Sequence, residues 1–432
     1  MSKIKNITAR EILNSKGEPT VEAKIILSNG LTAKAAVPCG TSTSSFEACD
    51  LRDDDSTRFS GRGVLKAVSQ VNEVIAPKLL GLKINDQALI DKTLIDLDAT
   101  PTKKNLGANA ILAVSLAAAR AAAQDAGEEL FYYLAKTHDF PEPKKMPTPL
   151  FNIFNGGAHA DTGLDFQEFM IIPSLTGIFI KTEMNNKPAR PTKRLIQAGA
   201  EIFKALGKIL KESGFSTEVG LEGGYAPDMD SSIQALEFIM AAIISAGYEP
   251  GRDVNLGLDI GSSVLFDRGA KKYVFRLDNA LFTNDNLIGL YNEWLKKFPI
   301  IYLEDGLDED EWAAWSELTS ELGNKLMIVG DDLFATNLDR LRRGLQEKAA
   351  NSIIIKPNQI GTLSETIACV KLAQRHNYKV IVSHRSGETN DDFIADLAVA
   401  VGADYLKAGS LSRGERVAKY NRLMEIEDLI LA

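Results

Sequence analysis

Beyond residue 250 the chain alternates short apolar runs with amphipathic stretches. Leu256-Gly-Leu258 leads to Asp259, Ile300-Ile-Tyr-Leu303 to Glu304, and Leu326-Met-Ile-Val329 to Gly330-Asp331. Ile353-Ile-Ile355 precedes Lys356, Val380-Ile-Val382 precedes Ser383-His384-Arg385-Ser386, and Tyr405-Leu406 precedes Lys407. The polar residues that close these runs follow one another at intervals of 45, 27, 25, 28 and 23 residues. A strand of about five residues, a helix of about 10–12 and two short loops fill about 25. The intervening pieces carry helical stripes, as in Leu287, Leu290, Tyr291, Trp294, Leu295 and Phe298. Continuous apolar strands separated by helices predict a parallel sheet covered on both faces, and six such units predict a closed (β/α) barrel. Active sites of such barrels lie at the C-terminal ends of the strands, where the closing polar residues fall.

The first third of the chain reads differently. Two β-rich runs, Thr20 to Leu27 and Leu31 to Val37, flank Ser28-Asn29-Gly30 and predict a hairpin. Val64, Leu65, Val68, Val71, Ile75 and Leu79 recur at helical spacing, and an Ala-rich helix is predicted over 108–124 with a stop at Gly127. Four of the fifteen prolines fall between Phe140 and Pro149, a stretch that can continue neither a helix nor a central strand. The expected organisation is an α+β capping domain at 1–139, a Pro-rich linker at 140–149 and the α/β barrel at 150–432.

Composition narrows the function. With 432 residues, 45% apolar and 25% charged, the chain can bury two or three cores, and disorder is excluded. The net charge of −9 opposes nucleic acid or anionic lipid as a primary partner. Cys39, Cys49 and Cys369 form neither a disulfide framework nor a zinc motif. The N-terminus lacks a signal-peptide core, and the longest apolar stretch, Ala110 to Ala119, is far below the ~20 residues that span a bilayer. A cytoplasmic protein without a membrane partner is expected.

The strand ends carry the candidate chemistry. Asp259, Glu304 and Asp331 bring three carboxylates together, which calls for a counter-charge; all-oxygen ligands point to a hard cation such as Mg²⁺. The other reading is that each carboxylate caps a helix or pairs with a local lysine. Lys356 and Lys407 face this cluster. As a base, a lysine must fall from about 10.4 towards ~7–8; as a structural group it simply pairs with the acids. His384-Arg385-Ser386 suits a phosphate or carboxylate. Asn155-Gly-Gly-Ala-His159 and Glu222-Gly-Gly-Tyr225 are glycine turns where backbone can approach a ligand or simply turn tightly. No Walker A loop, dinucleotide fingerprint or H-E-x-x-H motif is present. The residues describe a Mg²⁺-dependent barrel enzyme acting on a small anion.

Longer motifs carry a resemblance. Arg10-Glu-Ile-Leu-Asn-Ser-Lys-Gly-Glu-Pro-Thr20, Phe151-Asn-Ile-Phe-Asn-Gly-Gly-Ala-His159, Leu303-Glu-Asp-Gly-Leu-Asp308, Ile355-Lys-Pro-Asn-Gln359 and Ser383-His-Arg-Ser-Gly-Glu388 occur in order. On these, the chain resembles the enolase family throughout its length. The resemblance implies an N-terminal α+β domain and a C-terminal enolase-type (β/α)8 barrel. The implied activity is a carbon–oxygen lyase: reversible dehydration of 2-phosphoglycerate to phosphoenolpyruvate. It further implies two Mg²⁺ ions per active site, the second arriving with substrate. Asp259, Glu304 and Asp331 would ligate the first, and Ser42 the second. Lys356 would be the base, Glu222 the acid, and Glu168 its support. His159, His384, Arg385, Ser386 and Lys407 would bind substrate. A homodimer or an octamer of dimers is implied, and a secondary scaffold or surface-binding role is compatible with it. Four departures stand out: Cys39-Gly-Thr-Ser-Thr-Ser44 places Ser where the family has Gly, Leu221 replaces an Asp, Val264 replaces a Glu, and a basic insertion lies at 178–193. These are expected to affect rate, loop behaviour and assembly more than reaction type.

Overall fold

The computed structural model describes residues 2–41, 44–160, 162–180 and 190–432. Strand β1 (Ile4–Leu13) precedes β2 (Pro19–Leu27) and β3 (Thr32–Ala36), and the three form an antiparallel sheet. The expected hairpin joins β2 to β3, with Gly30 at φ +91° and the Leu27 amide donating to the Leu31 carbonyl at 2.9 Å. Sequence periodicity missed β1. An irregularity between Ile4 and Asn6 breaks its two-residue alternation, so buried Ile4 and Ile7 fall three apart. The Ala-rich helix spans Ala108–Ala126, packs on β2 and β3, and ends at Gly127 with φ +67°. The run is helical from Leu65 to Leu79, with Val64 just ahead of it, and a wider π turn at Gln70–Ile75 divides it.

The second domain starts with β4 (Thr148–Asn155), so the last two residues of the expected linker belong to a strand. Then follow β5 (Glu168–Pro173), β6 (Val254–Asp259) and a small antiparallel excursion of β7 (Phe266–Asp267), β8 (Lys272–Phe275) and β9 (Ala280–Phe282). The six predicted units supply the remainder: β6 itself, β10 (Ile300–Glu304), β11 (Met327–Gly330), β12 (Ser352–Ile355), β13 (Lys379–Ser383) and β14 (Tyr405–Lys407). Eight strands close the barrel in the order β4-β5-β6-β10-β11-β12-β13-β14. The expected all-parallel sheet is corrected at one strand: β5 runs antiparallel to both β4 and β6. Its first residue, Glu168, therefore lies at the barrel mouth, in register with Asn155 and with Asp259 at the end of β6.

Leu150, Met170, Ile172, Tyr302, Val329, Ile354 and Ile381 fill the barrel interior. They form a packed floor beneath the mouth, as expected for a barrel of this size. A second core lies between strands and helices, with Trp315, Phe334 and Tyr420 among its largest members. Polar bolts fasten the N-terminal domain to the barrel. Arg120 reaches Asp391 and Asp392, Asp91 accepts from Ser115 and Ser364, and Lys103 pairs with Glu365 at 3.0 Å.

Most of the basic insertion, including Lys187, lies outside the described residues. Where description resumes, the Pro191–Glu212 helix starts against the C-terminal helix Gly414–Leu431. The Glu427 carboxylate accepts from the Thr192 and Lys193 amides, while Arg190 and Lys193 each pair with Asp428 at 2.6 Å. Two of the insertion's cations thus serve this helix junction. Among the described residues, no helix is long and apolar enough to cross a membrane.

Candidate active site

The strand ends converge as the spacing predicted. Asp259, Glu304 and Lys407 are the last residues of β6, β10 and β14; Asp331 and Lys356 directly follow β11 and β12. The Lys407 ammonium lies 2.9 Å from Asp259 Oδ2, 2.7 Å from Glu304 Oε2 and 3.0 Å from Glu168 Oε1. Lys356 pairs with Asp331. From the barrel interior, the Tyr302 hydroxyl donates to Glu304 Oε2 at 2.5 Å. Gln359 donates to Asp331 Oδ1 at 2.9 Å and accepts from Thr336. Asp305, held at φ 43°, turns its carboxylate to accept from the amides of Asp331 and Asp332, which locks the end of β10 to that of β11.

Burial raises the Glu304 carboxyl to about 7, with Asp259 pushing the same way and Lys407 opposing. Asp331 is buried too, but Lys356 keeps it below the usual carboxylate range. Burial would lower Lys356; the Asp331 carboxylate outweighs this and holds the lysine above its ordinary value. The downward shift expected of a base is therefore not present while Asp331 is its partner.

The acids also fit a cation. Asp259, Glu304 and Asp305 offer ligand atoms within 4.8 Å of one another, and so do Asp305, Asp331 and Asp332. Glu304 Oε1 is buried with no hydrogen-bond partner, a cost that a hard metal ion would remove. Asp305 and Asp332 were missed in sequence, although each directly follows a predicted ligand.

Glu222 faces this cluster from a glycine turn. Gly223 has φ +88°, and a Cβ there would lie 2.7 Å from the Ser412 carbonyl, so only glycine fits. Asn152 of β4 donates to Glu222 Oε2 at 3.0 Å, and His159 Nδ1 lies 3.3 Å from the same oxygen and 3.8 Å from Glu168 Oε1. Burial favours the neutral acid at both glutamates, but the neighbours divide them. His159 and Arg416 hold Glu222 well below the usual range, whereas Glu222, Asp259 and Glu304 help burial drive Glu168 well above it. Two adjacent carboxyls pulled apart in this way are suited to holding one proton between them.

The predicted anion contacts form the third wall. Arg385 is buried and grips Glu47 with both terminal nitrogens, at 2.8 and 3.0 Å, while Asn358 accepts at 3.1 Å. Burial works against its charge, and Glu47 restores it. Ser386 Oγ donates to Thr41 Oγ1 at 2.7 Å and accepts from the Thr41 amide. Ser42, the residue expected to reach a second Mg²⁺, lies outside the described residues. His159, Glu168, Glu222, Asp259, Asp331, Lys356, His384, Arg385, Ser386 and Lys407 line one cavity of about 20 Å³, room for about one water. Glu304 is fully buried and meets this cavity through its pairing with Lys407.

Comparison with known proteins decides the family. The model described as the enolase C-terminal TIM barrel domain matches residues 143–432, and that of the enolase N-terminal domain matches 4–134. A curated relative named enolase, from Bdellovibrio bacteriovorus, is 47% identical over 428 residues, covering 99% of this chain and 96% of its own length. The chain belongs to the enolase family. Its activity is that of a phosphopyruvate hydratase, a hydro-lyase that interconverts 2-phosphoglycerate and phosphoenolpyruvate.

The departures from the enolase pattern can now be placed. Leu221 contributes backbone: its amide donates to His159 O and its carbonyl accepts from Arg416, both at 3.0 Å. Val264 is exposed and lines a separate cavity with Gly157, Ala158 and Phe266. Ser44 donates to Glu309 Oε2 at 2.5 Å beside Ser45, which reaches Oε1 at 2.8 Å. The extra hydroxyl thus fastens this segment to the loop after β10. Asn152, Gln359 and Arg416 were not found from sequence. Asn152 sits in a strand that was not recognised, Gln359 lies on a single helical turn, Pro357–Ile360, and Arg416 lies in the first turn of a helix whose apolar positions say nothing about it.

Proposed function

We propose that Lys356 and the Glu168–Glu222 pair divide the dehydration between them across the barrel mouth, with Mg²⁺ as the metal. The carrying observation is that one buried cavity is lined by a lysine, a carboxyl pair, an Arg-Ser anion site and a cluster of acids. Lys356 Nζ takes the C2 proton of 2-phosphoglycerate, and Glu222, sharing a proton with Glu168, delivers it to the departing C3 hydroxyl. Arg385 and Ser386 orient the phosphate, which a non-phosphorylated acid sugar would not require. His159 and His384 border the leaving-group side. Lys407 supports the carboxylate on which negative charge accumulates.

Asp259, Glu304 and Asp331 would hold Mg²⁺, with Asp305 and Asp332 close by and Ser42 reserved for a second ion arriving with substrate. When bound, the metal supplies positive charge to the substrate carboxylate and neutralises these acids. A cation held by Asp331 would compete with Lys356 for that carboxylate, the change that a base role for Lys356 requires. A cavity of about 20 Å³ is smaller than a phosphorylated three-carbon acid, so the surrounding side chains or loops must move to admit one. A homodimer, or an octamer of dimers, in the cytoplasm is the assembly and location that family membership supports.

Calorimetric titration with Mg²⁺, paired with phosphoenolpyruvate production, tests the assignment. Asp331→Asn should weaken Mg²⁺ binding by at least about tenfold and reduce turnover with it. Unchanged Mg²⁺ binding in that variant would remove Asp331 from the ligand set.

A further inference from the structure

Arg416 lies on the C-terminal helix and has no exposed surface. Its four terminal N–H groups have four acceptors on two segments of the site. One terminal nitrogen contacts His384 Nδ1 at 2.7 Å and the Arg385 carbonyl at 2.5 Å. The other contacts the Leu221 carbonyl at 3.0 Å and the Ser386 carbonyl at 2.6 Å. The guanidinium therefore has no free terminal hydrogen with which to adopt another arrangement, and its planar fork fixes the relative positions of both segments.

The contact with His384 has a chemical consequence. A guanidinium only donates, so the Nδ1 it touches must be an acceptor, and the ring's single proton must reside on Nε2. That nitrogen faces Glu222 Oε1 at 3.7 Å. Burial and Arg416 both disfavour the imidazolium, although Glu222 pulls the other way, and the net shift is well below the ordinary histidine value. The carbonyl of Leu221, immediately before Glu222, is held by the same guanidinium.

We propose that Arg416 is a positioning residue that fixes His384 as a neutral Nε2–H donor directed at the leaving-group side of the site and sets the Glu222 turn against it. The kinetic consequence rests on the hydratase assignment; the tautomer does not, so the two fail separately.

The test is nitrogen NMR of ¹⁵N-histidine-labelled full-length protein near neutral pH, with kinetics on the same samples. Only four histidines are present, and loss of one signal in His384→Phe assigns the residue. In the unaltered protein, His384 should show an unprotonated Nδ1 and a protonated Nε2. Arg416→Met should mix the tautomers and lower kcat about 10–100-fold, with a smaller change in KM because Glu47 and Asn358 still hold the Arg385 side chain. Arg416→Lys keeps one donor and should restore the tautomer and part of kcat. An Nδ1–H or doubly protonated His384 in the unaltered protein overturns the proposal, whether or not any variant folds. Full retention of tautomer and kcat in folded Arg416→Met does so as well.

Discussion

At the scale of single residues, the roles we propose separate removal of a proton from removal of a hydroxide. Lys356 and Glu222 lie on different segments and answer to different neighbours, so losing either should stop a different half of the reaction. Lys356→Ala should lower kcat by about a thousandfold, in the range expected for loss of a general base. Glu222→Gln should lower dehydration comparably yet still allow exchange of the C2 proton with solvent, read by deuterium incorporation into 2-phosphoglycerate. Loss of exchange and dehydration together in Glu222→Gln would argue against separate roles. The ligand and base candidates were legible because apolar runs terminate visibly in Asp, Glu or Lys. Their charge state was not. The pairing of Lys356 with Asp331 depends on how β11 and β12 stand beside each other.

At the scale of elements, periodicity found six barrel strands and left two. β4 and β5 lie ahead of the regular spacing that begins beyond residue 250, and β4 adjoins the Pro-rich stretch that suggested a linker. The reversal of β5 is a matter of chain topology, and no local pattern reports it. It is this reversal that places Glu168 opposite Asp259. The loop departure at Ser44 also belongs here, because its hydroxyl joins one segment to another. Ser44→Gly removes a buried donor to a carboxylate and frees the backbone. Stability should fall by about 1.5–3 kcal/mol, read as a lower urea midpoint with an unchanged slope. No change in midpoint would mean that the clasp between Ser44 and Glu309 contributes nothing.

At the scale of the whole molecule, the capping domain is held to the barrel by partly buried ion pairs whose strength depends on pH. Burial alone would raise Asp391, but Arg120 holds its carboxyl below the usual value. A carboxyl depressed in the folded state contributes stability above its unfolded pKa of about 3.9 and loses it as pH falls through the lower folded value. Asp391→Asn should therefore cost about 3 kcal/mol near neutrality, and the difference from the unaltered protein should shrink below about pH 4. Thermal denaturation across that range checks both statements. A difference that stays constant into acid would mean that the pair does not control the junction.

The central claim is that this barrel mouth converts 2-phosphoglycerate with Lys356 as its base and a divalent metal among its acids. The most direct measurement follows the absorbance of phosphoenolpyruvate after 2-phosphoglycerate is added with Mg²⁺ and then with excess EDTA, for the unaltered protein and for folded Lys356→Ala. Product that requires Mg²⁺, stops with EDTA and is nearly absent in Lys356→Ala is the expected result. Product formation that persists in EDTA, or at full rate in Lys356→Ala, would contradict it.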